Sequence, residues 1–248
     1  MAKNRPLALR AVELAEECAS RLDQWRAFLL RFTDGSMPGL AEDDFLGKEM
    51  RAAAVVATMA ELERLVREIL VGLSYEINGA RLEVRRLVPG VRVLAAHSKF
   101  QSLSDTRNAD SHWASRLEVS RLELDTEIAR LPGPTSSGPQ PPLDGRTIRP
   151  SHLRRVWSLL EIGGDAMPSA SADASITKLA SVRNDVAHAN APIDELFHRD
   201  DESRSAKEIA RYIEDATLVL LHIGSEIADY ARQRRYRVDR SSDSPAAT

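Results

Sequence analysis

The sequence predicts an all-α protein, and three observations carry that prediction. Several segments place apolar residues at alternating spacings of four and three, the pattern of helices that bury one face. No segment shows the strict apolar–polar alternation that is typical of a strand. Hydrophobic residues make up 43% of the 248 residues and charged residues 29%, so the chain is suited to forming a globular core.

The first half of the chain predicts four helices. The first spans 5–33, and the second, over 47–78, has the strongest apolar stripe. That stripe consists of Val55, Met59, Leu62, Val66, Ile69, Leu73 and Ile77. A shorter helix is predicted over 91–103. A fourth is predicted over 110–131 from the spacing of Trp113, Leu117, Leu124, Ile128 and Leu131.

A proline-rich segment separates these helices from the rest of the chain. Residues 132–150 hold six of the twelve prolines and three glycines, so we expect a flexible linker or insertion there. We expect one domain over 1–240, because the part after the linker has only one strongly amphipathic helix and needs the earlier helices as packing partners. Residues 241–248 are expected to be a disordered tail.

Three helices are predicted after the linker. Ser151 is expected to cap a helix that ends near Glu161. The next helix carries the sequence VRNDVAH and is stopped by Pro192. Its candidate N-caps are Ser171, Asp173 and Ser175. The last and longest helix spans about 203–234.

Charge, cysteine content and hydropathy exclude several classes of protein. A net charge of −3 argues against a protein that binds nucleic acid through its overall charge, but leaves room for a local basic surface. The single cysteine, Cys18, excludes an intramolecular disulfide and a cysteine-rich zinc site. The N-terminal residues lack the apolar core of a signal peptide, and no stretch approaches the roughly 20 apolar residues of a membrane span. We therefore expect a cytoplasmic protein that does not enter a membrane.

The stretch SVRNDVAHAN, residues 181–190, concentrates polar side chains near the end of a predicted helix. Arg183 continues the apolar spacing that includes Leu179, so it lies on the helix face that packs against protein. Because a buried arginine is costly unless it is paired or lines a polar cleft, Arg183 either bridges to a core carboxylate or lines a cleft between subunits. Asn184 and His188, four residues apart, share a neighbouring face.

The run LASVRNDVAHAN resembles the signature of HEPN domains, a superfamily of helical ribonucleases. The matching positions are Arg183, Asn184 and His188. The longer match begins at Leu179, and a looser helical resemblance, to the bacterial toxin-like and RNA-processing-associated branches, covers about 50–230. Ala189 stands where many relatives have glycine, so we expect the helix to continue to Asn190.

The resemblance implies a HEPN-like bundle that cleaves RNA without a metal or other cofactor, as a homodimer whose two motifs meet at the interface. The ribose 2′-OH must lose its proton near neutral pH, which suits His188 as general base, or as the acid for the leaving oxygen. Arg183 would stabilise the charge on the phosphorane oxygens, and Asn184 would orient the histidine or the phosphate. Such proteins often serve as toxins of toxin–antitoxin pairs or in phage defence, which implies an antitoxin or other defence-system partner.

Other interpretations of the same residues stay open. A non-catalytic helical module that binds RNA or a partner protein through the same cleft is one. A structural domain is another, with Arg183 in a core salt bridge and His188 at a helix C-terminus, where a cation is favoured. Glu195 and His198 form a single E-x-x-H, whereas a carboxylate-bridged metal pair needs two, so no metal site is expected.

Two basic stretches are candidates for contact with RNA phosphates. The first contains Arg81, Arg85, Arg86 and Arg92. The second, RQRRYR, contains Arg232, Arg234, Arg235 and Arg237 around Tyr236. A basic run with one aromatic side chain is able to hold a single-stranded backbone. The alternative is a solvated helix end, where arginines interact favourably with the helix dipole.

Overall fold

The computed structural model is all-α in the parts of the chain that it describes. These parts are residues 6–33, 41–104, 109–133, 142–143, 145, 147–188, 191–198 and 201–238, with the backbone alone for 104 and 109–111. They contain α-helices, short 3-10 turns and two isolated backbone bridges, and no strand. The α-helices are α1 Leu7–Thr33, α2 Phe45–Ala80, α3 Pro89–Ala95, α4 His97–Ser104, α5 Ala109–Ser120, α6 Pro150–Leu160, α7 Ala170–Ala187, α8 Ile193–Leu196 and α9 Ala206–Arg232.

The centre of the bundle consists of α1, α2 and α9, with α1 antiparallel to the other two. The backbone N–H of Leu7, at the start of α1, donates to Glu76 near the end of α2 over 3.2 Å. Near the opposite end of α1, Arg26 pairs with Glu214 of α9 at 3.1 Å. Because Gly224 has no side chain, α9 comes close to the first half of α1. It follows that α2 and α9 are parallel and end at the same end of the bundle.

The helices after the proline-rich segment complete this bundle. Buried residues of α6, α7 and α9 belong to the same hydrophobic cluster as those of α1 and α2. A buried hydrogen bond also joins α7 to α9, from Ser175 Oγ to Asp215 Oδ2 at 2.6 Å. Among the described helices none is both long and apolar enough to span a membrane.

Cys18 lies inside the bundle, on the face of α1 that packs against α2. Its side chain is fully buried. Burial raises the pKa of its thiol to about 12, and a hydrogen bond with Glu61 acts in the same direction. The thiol therefore stays protonated, and chemically inert, in the folded protein at physiological pH.

The first-half helices differ from the prediction at their ends. The helix α2 passes through Asn78 and Gly79 instead of stopping there, and the predicted helix 91–103 is two helices that meet at Ala96. The prediction of a helix over 110–131 is wrong beyond Ser120. Residues 125–129 instead run beside 82–84. Their backbone bonds are Val84 N–H to Glu127 O at 2.9 Å and Ala129 N–H to Leu82 O at 2.8 Å. These long-range partners replace the local bonds of a helix.

The second-half helices also begin at other residues than predicted. Pro150 opens α6, one residue before the predicted cap, because its fixed φ suits the first helical turn. The N-cap of α7 is Ser169, whose side chain accepts from the N–H of Ala172 at 3.1 Å. Thr147 and Ile148, at the end of the predicted linker, are buried in the core. The rest of that segment over 134–141 and at 144 and 146, and the predicted tail, lie outside the described residues.

Candidate functional site

Residues 183–188, which carry the matched positions and which we call the motif, lie at the C-terminal end of α7. This is the end of the bundle where α2 and α9 begin. The buried Ile176 and Leu179 hold the middle of α7 against the core. The helix ends at Ala187, and His188 is its C-cap, with its N–H bonded to the carbonyl of Asn184 at 3.0 Å. The prediction that the helix continues to Asn190 is therefore wrong at His188, where the helix has already ended. Residues 189 and 190 lie outside the described part.

Arg183, which the sequence places on the protein-facing apolar stripe of α7, is half-buried there. Among the described residues, none forms a hydrogen bond or an ion pair with its guanidinium. A half-buried cation without a carboxylate partner loses hydration and gains no compensating pair, so it is suited to receive an anion from outside the chain. The core salt bridge of the structural interpretation is thus not formed at Arg183 within the described residues.

Asn184 is held in one orientation by a residue from the end of the proline-rich segment. The buried hydroxyl of Thr147 donates to Oδ1 of Asn184 at 2.8 Å. With Oδ1 occupied, the amide turns its Nδ2 donors away from Thr147. No described residue accepts from Nδ2. The amide is therefore oriented and retains free donors.

The side chain of His188 is exposed to solvent at the end of α7. The four-residue spacing puts its side chain about 40° from that of Asn184 around the helix axis, so the two are neighbours. The five-residue spacing from Arg183 gives about 140°, so these two side chains leave α7 in different directions. Within one chain the geometry brings together the amide and the imidazole, and the guanidinium stands apart.

A second arginine, Arg51 of α2, lies near this end and is the fully buried one, with 1% exposure. It pairs with Glu42 Oε1 at 3.2 Å, donates to the carbonyls of Glu42, Phe197 and Arg204, and lies 5.3 Å from the centre of the Phe197 ring. Burial lowers the pKa of Arg51, and the Glu42 carboxylate opposes that shift. This cluster ties the chain after α7 to the start of α2.

Arg204 also links segments of this region, and one of its bonds is to an acidic residue of the motif. Its Nη2 donates to Asp185 Oδ2 at 2.9 Å, and its Nη1 donates to the carbonyl of Leu196 at 2.8 Å. Asp185 therefore pairs with Arg204, and no described carboxylate forms an ion pair with Arg183. Sequence reasoning missed Thr147, Arg204 and Arg51. Thr147 and Arg204 bond to motif residues from other parts of the chain, and Arg51 bonds to the segment that holds Arg204.

The two basic stretches lie at the opposite end of the bundle. The exposed arginines of the second stretch follow the end of α9, whose 27 residues separate them from the motif by about 40 Å. Arg232, Arg234 and Arg237 are exposed, Arg235 is half-buried over the Tyr230 ring, and Tyr236 is buried. The buried Tyr236 has no face free for stacking, so the aromatic side chain of the predicted backbone-binding run is not available to RNA there.

Metal-binding side chains do not gather in the described residues. No group of three or more histidine, cysteine, aspartate or glutamate side chains there is placed to hold a metal ion. Glu195 and His198 are exposed near α8.

No family model matches the chain, and no curated protein or solved structure matches it either.

Proposed function

We propose that the protein is an endoribonuclease of the HEPN type, with His188, Arg183 and Asn184 as its catalytic residues. The observation that carries the proposal is the state of these three side chains. An exposed imidazole and an oriented amide are neighbours at the end of α7, and a half-buried arginine that no described residue neutralises lies on another face of the same helix. The amide and the imidazole of one chain are available to a phosphodiester, and the arginine of a second copy is able to complete the site.

The reaction that suits these groups is an internal transesterification that uses no metal. The ribose 2′-oxygen attacks phosphorus and gives its proton to the imidazole of His188, while the P–O5′ bond breaks and the leaving oxygen takes a proton from water. The products are a 2′,3′-cyclic phosphate and a 5′-hydroxyl. Arg183 stabilises the charge that develops on the equatorial oxygens, and Nδ2 of Asn184 donates to His188 or to the phosphate.

A homodimer would supply what one chain does not bring together. Since Arg183 and His188 diverge on α7, a second copy facing the first is able to place its arginine beside the other chain's histidine, so that each composite site holds one arginine and one histidine. The apolar side chains of Phe45 and Leu46, which are 64% and 47% exposed at this end of the bundle, give such an interface an apolar component.

The first experiment incubates the protein with a mixed RNA pool in excess EDTA, beside folded His188→Ala, Arg183→Ala and Asn184→Ala variants. We expect cleavage by the wild type, loss of roughly 100-fold or more in H188A and R183A, and a smaller loss in N184A. His198→Ala, an exposed histidine ten residues away, is the matched control and should cleave normally. Unchanged cleavage by H188A would refute the proposed site.

Mixing the two inactive variants tests the composite site. A heterodimer of R183A and H188A subunits contains one site with an intact arginine from one chain and an intact histidine from the other. We therefore expect partial recovery of cleavage in the mixture, up to about a quarter of the wild-type rate if subunits exchange at random. Recovery would not occur if both residues had to come from the same chain.

The alternative is a helical module that binds RNA or a partner protein without cleaving it. Its supporting observation is the basic surface about 40 Å from the motif, which suits binding and includes no catalytic group. In that case H188A binds as the wild type does and neither protein cleaves. A role as a toxin or in phage defence, with an antitoxin, follows from the family resemblance alone, and growth arrest on expression that H188A abolishes would support it.

A further inference from the structure

The two basic stretches of the sequence meet at the end of the bundle remote from the motif. The N–H of Val88 donates to the carbonyl of Tyr236 at 3.0 Å, and the N–H of Val238 donates to the carbonyl of Arg86 at 2.8 Å. These bonds hold the segment after α2 beside the segment after α9. Arginines that are about 150 positions apart in the chain thereby share one surface, which we call the basic end.

Two clefts open at the basic end, on either side of the turn after α2. One, of about 590 Å³, is lined by Asn78, Gly79, Arg81, Arg130 and nearby residues. The other, of about 510 Å³, is lined by Glu76, Ala80, Leu82, Arg232, Arg234, Arg237 and nearby residues. Each cleft thus has at least two arginines in its wall.

The positive charge in these clefts is only partly neutralised. Arg232 pairs with Asp229. Arg81, Arg130 and Arg234 are exposed, and no described residue forms an ion pair with any of them. The carboxylate in the second cleft, Glu76, accepts the N–H of Leu7 at the start of α1. Burial raises the pKa of Glu76, and the charge of Arg234 opposes that shift, so Glu76 offsets part of the charge of Arg234 without forming an ion pair.

Arg81 and Arg234 also adopt a backbone conformation that arginine avoids. Their φ angles are 50° and 51°, in the left-handed region where the end of a helix normally has glycine. An L-residue there carries strain that glycine would relieve, which suggests that the side chain is needed. The third such residue, Glu161, does use its side chain, which accepts from the N–H of Gly90 at 3.0 Å.

We propose that the basic end is a second RNA-binding site, in which Arg81 and Arg234 hold phosphates of the strand whose remote part enters the motif. This inference rests on the proposed function for the identity of the ligand as RNA. With Tyr236 buried, that ring is not available to stack on a base, and the contacts offered by Arg81 and Arg234 are to phosphates, so binding there is independent of base sequence. The separation of about 40 Å means that only RNA longer than about a dozen nucleotides engages both sites.

The test measures binding of fluorescent 30-nucleotide poly(U) and poly(A) by anisotropy at several salt concentrations, in EDTA. The test variant is R81G/R234G in the full chain. Glycine fits both left-handed positions, so this variant keeps or raises the melting temperature while it loses two charges. The control R67Q/R155Q removes two arginines from exposed positions on α2 and α6.

We expect R81G/R234G to bind both RNAs about tenfold more weakly near 0.1 M salt, with a salt slope smaller by about two, while the control binds as the wild type does. Cleavage of an 8-nucleotide RNA should be unchanged in R81G/R234G, and cleavage of the 30-nucleotide RNA should require more substrate for half-saturation. Equal binding by R81G/R234G and the wild type, or no RNA binding by either, would overturn the inference. If no protein cleaves RNA but R81G/R234G still loses binding, the proposed function fails and the binding site stands.

Discussion

Two arginines near the same end of the bundle have opposite surroundings. Arg51 is buried and all its described bonds run to this chain: a carboxylate, three carbonyls and an aromatic ring. Arg183 is half-buried, and no described residue pairs with it. A protein interior tolerates a guanidinium whose charge is paired and whose two Nη atoms are bonded, so Arg51 has a structural explanation, although its buried Nε has no partner among the described residues. Arg183 has none among the residues that the structure describes, and the difference separates a residue that holds the fold from one that is a candidate for ligand binding.

The largest expected effect on stability is that of Arg51→Met. The substitution leaves Glu42 without its cation and removes donors from the carbonyls of Phe197 and Arg204. We expect the free energy of unfolding in urea to fall by about 3–5 kcal/mol, as for one partner removed from a buried pair. Arg67→Met, on the exposed face of the same helix, should change it by less than about 0.5 kcal/mol. If both substitutions lowered the free energy of unfolding equally, Arg51 would not have the structural role described here.

Arg204→Ala is expected to have an intermediate effect. It breaks the bonds to Asp185 and to the carbonyl of Leu196, and Asp185 keeps partial access to water. A loss of about 2 kcal/mol is expected from charge-assisted bonds of this kind, measured by the same urea titration. Since Asp185 belongs to the motif, hydrogen exchange of the last turn of α7 should also become faster. Unchanged exchange there would mean that Arg204 does not hold the motif.

Thr147→Val should cost about 1 kcal/mol, since it removes the donor to Oδ1 of Asn184 with little change in shape. Thr147→Ser keeps the hydroxyl and is the control. The more informative readout is cleavage: a freely turning amide should lower kcat for RNA and leave RNA binding unchanged. If kcat is the same in both variants, the orientation of Asn184 has no part in the reaction.

The smallest expected effect on stability is that of Arg183→Ala, below about 0.5 kcal/mol. No bond within the described residues is lost, so thermal and urea unfolding should nearly match those of the wild type. The same variant should lose RNA cleavage. A loss of 3 kcal/mol or more would show that Arg183 belongs to a buried pair and would make it equivalent to Arg51.

The sequence predicted the parts of the fold that depend on local pattern. The long helices α2 and α9 follow from stripes of apolar residues that the structure buries. The prediction over 110–131 is wrong in its second part, where Leu124 and Ile128 keep a helical spacing but lie outside any helix. Backbone bonds to residues 82–84 determine that part, and periodicity does not report bonds between distant segments.

The site was predictable to the same extent. The pattern RNDVAH marked three residues, but the partner of Asn184, Thr147, lies in a proline-rich stretch that composition assigned to a linker. Arg51 did carry a signal: it lies four residues before Val55 and extends the buried stripe of α2 by one position. An arginine on such a stripe predicts a paired core cation, and only the structure distinguishes it from Arg183, which has the same kind of signal.

The buried Cys18 allows local opening of the folded protein to be measured by cysteine labelling. The Cys18 thiol is buried between α1 and α2, and its pKa is raised to about 12. An alkylating reagent therefore reacts with it only when α1 separates locally from α2. The rate of labelling therefore counts openings of the interface that joins the motif end of the molecule to the basic end. An RNA long enough to bind both ends would stabilise that interface and slow the labelling of Cys18, whereas an 8-nucleotide RNA would leave the labelling rate unchanged.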